Sequence, residues 1–167
     1  YEDVKPKSQS GLIFNAHRDL TAPPFVKVDV RNSLAHRKRF NARKYLAMFL
    51  GSSRARPVRQ KIFSLFKNNS TLLIGKAYGD EYEKAFQDSK CCVGVRGLVT
   101  STVRFSDVFL YSCIPVIISD GYVPPCSSTV IWRSFSIFVQ EDDLVRLPKI
   151  LGSIDEGEWS MMQKNLM

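Results

Sequence analysis

The spacing of apolar positions between Ser89 and Pro125 sets the frame for the rest of the chain. Cys91 to Val95 is a short apolar run, and Arg96-Gly97 breaks it. Phe105, Val108 and Phe109 then recur as one face of a helix, directed to the core, with Ser101 or Thr102 placed to cap its start. Ile114 to Ile118 is continuous and rich in β-branched residues, as in a strand buried on both faces. The same reasoning predicts a helix from Pro57 through Phe66, a strand over Thr71–Ile74 and a helix over Glu81–Gln87. Phe135–Val139 predicts a further strand. Glu141-Asp142-Asp143 predicts the start of a helix ending near Leu151, since acids suit the N-terminal dipole. Glu156–Met167 predicts another helix, with Trp159 and Met162 on one face. Upstream, Leu12-Ile13-Phe14 is a short apolar run, Pro23-Pro24 forbids helix, and Val26–Val30 predicts a short strand.

Strands alternating with helices predict an α/β domain, a Rossmann-like doubly wound parallel sheet. Such sheets bind phosphates where a glycine turn leads from a strand into a helix N-terminus. Arg96 and Gly97 stand at that turn, and Ser101 and Thr102 bring hydroxyls and free backbone N–H groups to the helix start. Arg104 and Asp107, three apart, share a helix side. The arginine suits a diphosphate, and the carboxylate suits the two hydroxyls of a ribose. The plain alternative is a surface ion pair. Asp120 follows the Ile114–Ile118 strand within Ser119-Asp120-Gly121, either as a turn residue or as a wall of a sugar pocket.

Composition narrows the partners. The 167 residues suffice for a domain with a real core, and a formal charge of +8 favours anionic ligands. Much of the basicity lies in His36–Lys44 and in Arg54 and Arg56, either a solvated face or an electropositive rim for a diphosphate or an acidic acceptor. Basic residues spread over several elements, without an RNA-recognition signature, argue against nucleic acid. The four cysteines form no Cys-x-x-Cys pair and no cluster with histidine, so no metal site is expected. Cys91 and Cys92 point to opposite faces of a strand and do not bond each other, and packing as small hydrophobes is the favoured reading. Asn68-Asn69-Ser70-Thr71 holds two overlapping glycosylation sequons. No run approaches the length of a membrane span. A start at Tyr1 rather than methionine suggests an upstream segment.

The Ser89–Pro125 stretch resembles the core motif of the exostosin-like glycosyltransferases. That pattern is roughly Ser-Lys-Phe-Cys-Leu-x-Pro-Arg-Gly, a Ser-x-Arg-x-x-Glu/Asp-Ala helix, then Cys-Ile-Pro-Val-Ile-x-Ser/Ala-Asp and Leu-Pro-Phe. Its counterparts here are Ser89, Lys90, Cys92, Arg96, Gly97, Arg104, Asp107, Cys113, Ile114, Pro115, Val116, Ser119 and Asp120. The aspartate at Asp107 and Ser112, where a glycine is frequent, are more like the plant branch. Val95, Val108 and Pro124-Pro125-Cys126 depart from the pattern. Arg43-Lys44-x-Leu46-x-x-Phe49-x-Gly51 resembles the family's opening strand, which implies a strand over Tyr45–Leu50 ending at Gly51 beside the ligand. A His/Lys-Asp-x-x-x-Pro segment of the family joins two domains, and His17 falls in its counterpart.

The resemblance implies the C-terminal, donor-binding half of a GT-B type enzyme, with residues 1–44 as an inter-domain segment and 45–167 as the nucleotide-sugar domain. It implies sugar transfer from a UDP-sugar to a glycan or polysaccharide acceptor with inversion, without a metal cofactor, since no Asp-x-Asp motif is present. Arg96, Gly97, Ser101, Thr102, Arg104 and Asp107 would hold the donor, with Gly51 and Asp120 at the edges. The general base can come from the other half in two-domain enzymes of this kind, and the sequence names no residue for it. A Golgi lumen location, a type II membrane anchor in the full-length protein, and homo- or hetero-oligomers fit the same family. The alternatives are a non-catalytic partner subunit that keeps the fold and, behind it, a basic nucleic-acid-binding domain.

Overall fold

The computed structural model describes residues 38–53, 57–95 and 104–167, apart from the side chains of 104–106. Five strands form one parallel sheet: β1 (Tyr45–Leu50), β2 (Leu72–Gly75), β3 (Ser89–Val95), β4 (Ile114–Ile118) and β5 (Ile137–Phe138). Their order is β2-β1-β3-β4-β5. The chain moves outward from β1 to β2, then crosses back to place β3 on the other side of β1. That reversal opens a crevice between the carboxyl ends of β1 and β3, where ligands of open α/β sheets bind.

Helices cover both faces. They are α1 (Pro57–Phe66), α2 (Asp80–Asp88), α3 (Arg104–Tyr111), α4 (Leu147–Gly152) and α5 (Glu156–Leu166). Strand side chains alternate between two cores, as their period of two demands. Ala47, Phe49, Cys91, Val93 and Val116 pack with Ile62 of α1, Leu151 of α4 and Trp159 of α5. Met48, Leu50 and Cys92 pack with Ala85 and Phe86 of α2 and Val108 and Tyr111 of α3. A doubly wound α/β sheet is therefore what the alternating pattern builds.

Strand β1, strand β4 and the start of α1 stand where expected. Strand β2 begins one residue late, because Asn69 Oδ1 accepts from the N–H groups of both Thr71 and Leu72 and holds Thr71 in a turn. The helix expected over Glu141–Leu151 is two pieces, a 3-10 turn at Glu141–Arg146 and then α4. Pro148, at the start of α4, has no N–H and its ring would clash with the Leu144 carbonyl in a continuous α-helix. The strand expected over Phe135–Val139 shrinks to Ile137–Phe138, because Trp132–Ser134 forms a 3-10 turn and Phe135 caps it. Helix α5 opens on a capping box in which Asp155 and Glu158 each accept from the other's backbone N–H. The predicted Val26–Val30 strand lies outside the described residues.

Candidate functional site

The carboxyl edge of the sheet gathers the candidate chemistry. Gly51 ends β1 there and donates its N–H to Gly75 O at 2.9 Å, fixing the mouths of β1 and β2 together. An open cleft of about 380 Å³ lies over this edge, lined by Gly51, Ser52, Lys76, Tyr78, Gly79 and Tyr82 among others. Gly79, at a φ of 55°, turns the chain from the β2 loop into α2. Tyr82 sits in the first turns of α2, where its ring meets Phe86 edge-on at 5.0 Å.

Asp107 reaches this cleft through Tyr82, whose phenol donates to Asp107 Oδ2 at 3.0 Å. The contact links α2 with the first turn of α3, across 25 residues of sequence. Spacing within one helix could not have revealed it. Asp107 is part-buried and stands in the first turn of α3. Arg96, Gly97, Ser101 and Thr102 lie outside the described residues, as does the side chain of Arg104.

Arg59 is a residue that sequence reasoning missed. From the first turn of α1 its guanidinium donates to Val95 O at 3.3 Å and lies 5.8 Å from the Phe49 ring. It therefore places a cation at the carboxyl end of β3, across the mouth of β1. The available signal was its place in the first turn of the helix that follows Gly51. Arg54 and Arg56 lie outside the described residues.

Asp120 and Arg43 both enter main-chain contacts. Asp120 accepts from Glu141 N–H through Oδ1 at 3.1 Å, while Glu141 Oε1 accepts from Asp120 N–H at 3.3 Å. This reciprocal clamp ties the β4 turn to the next 3-10 turn, which accords with the turn reading of Asp120. Arg43 is neither a rim nor a solvated cation. It is 5% exposed and donates to Ser89 O at 2.9 Å and Tyr111 O at 2.6 Å. These partners start β3 and end α3, so Arg43 locks the amino edge of the sheet, opposite the cleft. Nearby Lys38 pairs with Asp88. Phe109 is half out of the core, meeting Trp132 and Phe135 edge-on at 5.7 and 5.9 Å.

The cysteines also differ from packing alone. Cys92 and Cys113 form a disulfide, both fully buried, joining β3 to the residue before β4. Cys91 is free and buried, and burial pushes its thiol well above the ordinary value. Cys126 is free and exposed. Among the described residues no His/Cys/Asp/Glu group could hold a metal ion.

Comparison with known proteins supplies the context. A model of the exostosin GT47 domain matches residues 8–154. A probable glycosyltransferase of Arabidopsis thaliana is 31% identical over 130 residues, which cover 76% of this chain and 25% of that protein. A probable glucuronosyltransferase of Oryza sativa subsp. japonica is 34% identical over 104 residues, covering 62% of this chain and 25% of its own. Another probable glycosyltransferase of Arabidopsis thaliana is 28% identical over 160 residues, covering 92% of this chain and 33% of its own. The chain thus spans a quarter to a third of the length of these relatives.

Proposed function

The chain belongs to the exostosin GT47 family of glycosyltransferases, and on that premise we propose that it forms the donor-binding side of an inverting enzyme that uses a UDP-sugar. The observation that carries this reading is the crevice between β1 and β3, with Asp107, Arg59 and the cleft around Gly51 at its carboxyl edge. In this reading Arg96, Arg104 and the amides at the start of α3 neutralise the diphosphate as it departs. Asp107 accepts from the ribose hydroxyls, with Tyr82 fixing its carboxylate. The acceptor, a glycan or polysaccharide, faces this edge from a second wall. The general base belongs to that wall, because proton abstraction needs a group within hydrogen-bond reach of the acceptor hydroxyl. Relatives about three times as long have room for such a wall.

Redox chemistry supports a proposed location. The buried Cys92–Cys113 disulfide suits an oxidising compartment such as the Golgi lumen. Charge neutralisation by arginines and amides gives the donor site no need of a divalent cation. Calorimetry with UDP on the full-length protein tests the reading. Arg104→Ala and Asp107→Ala should each weaken binding by about 1.5–3 kcal/mol, as for charge-assisted hydrogen bonds. Binding should survive EDTA. Equal UDP affinity in both variants and the unaltered protein would refute the site, and dependence on added manganese would refute the charge assignment.

A further inference from the structure

The cleft beside Gly51 has a feature that phosphate chemistry does not explain. Tyr78 is 82% exposed, the most exposed large aromatic side chain among the described residues, yet it lines the cleft. An exposed aromatic ring forgoes the burial that would otherwise hold it in the core. It stands between Lys76 and Gly79, in the loop that carries β2 into α2. Gly51, Ser52 and Tyr82 line the same cleft.

Charge says which part of a donor enters. The first turn of α2 carries Asp80, Glu81 and Glu83. Three carboxylates there compete with any anion for the helix N-terminus and repel a diphosphate. The uncharged part of a nucleotide-sugar suits this cleft better. The volume of about 380 Å³ is at the low end for ligand clefts, enough for a nucleoside and small for a whole nucleotide-sugar. The Tyr82–Asp107 hydrogen bond joins the cleft to α3, so a ribose at Asp107 would stand beside the cleft that Tyr78 lines.

We propose that Tyr78 is the platform on which the base of the donor stacks, making the Gly51–Tyr82 cleft the nucleoside subsite. This rests on the donor-binding reading above. It assigns to the β2–α2 loop the recognition of the base, and leaves to the arginines and α3 the recognition of phosphate and ribose.

Calorimetry on the full-length protein with UDP, uridine and inorganic pyrophosphate separates the two. Tyr78→Ala should weaken UDP and uridine about tenfold, a modest loss for a base–aromatic stack. Its pyrophosphate affinity should stay unchanged. Tyr78→Trp should restore UDP binding, because a larger ring offers the same platform. The side chain is exposed, so both variants should keep the native circular dichroism spectrum. Unchanged UDP affinity in Tyr78→Ala, with a loss in Arg104→Ala, would overturn the nucleoside subsite and leave the donor reading standing. Loss of acceptor-glycan binding in Tyr78→Ala, with UDP affinity intact, would overturn it in favour of an acceptor platform. Failure of the unaltered protein to bind UDP would overturn both.

Discussion

Ser112 holds a φ of 48°, in the left-handed region that costs an L-residue about 1–2 kcal/mol. It follows α3, and Cys113 N–H reaches back to Val108 O at 3.0 Å, which closes the helix as a Schellman turn. Its hydroxyl is buried without a hydrogen-bond partner. Ser112→Gly should therefore raise stability by about 1 kcal/mol, read as a higher urea midpoint at constant slope. A lower midpoint would mean that the serine makes a contact beyond its backbone. The sequence marked this position, since glycine is frequent there in the family, but it could not show the strain. Arg43 gives the opposite lesson. A residue read from composition as surface charge is a buried clamp, because its partners are main-chain carbonyls that carry no sequence signature.

Among the elements, those with strong internal patterns were legible, as Pro57–Phe66 and Ile114–Ile118 carry their own boundary residues, while Tyr45–Leu50 was legible through the family resemblance. Elements ended by tertiary contacts were not. Strand β5 depends on two residues of β4, and the break before α4 depends on how Pro148 meets Leu144. The disulfide was illegible for the same reason. Cys92 and Cys113 stand 21 residues apart and meet only because β3 and β4 pair in parallel. It locks the turn after α3 to β3, and so steadies the helix that carries Asp107. Closing a loop of that length stabilises by about 3 kcal/mol in the chain-entropy view. Thiol labelling checks the pairing. In the native, unreduced protein Cys126 alone should react, unfolding should add Cys91, and reduction should add Cys92 and Cys113. Reaction of all four cysteines on unfolding without reductant would show that the bond is absent.

At the scale of the whole molecule, the sheet order decides where ligands sit. The alternation of strands and helices announced a doubly wound sheet, and the resemblance placed Asp107 in a donor site. Neither could reveal the β2-β1-β3-β4-β5 order, because order depends on which crossovers pack. That order puts Gly51 and the end of β3 at one crevice, with Arg59 donating to Val95 O and the cleft beside Gly51. The basic stretch before β1 is held at the other edge by Arg43 and Lys38. Hydrogen exchange of the full-length protein, with and without saturating UDP, tests this arrangement most directly. Exchange should slow in peptides spanning Leu50–Ser53, Lys76–Tyr82 and Gly94–Asp107, with no change over Phe40–Lys44. UDP binding that protects the amino edge of the sheet and leaves those three segments unaltered would contradict it.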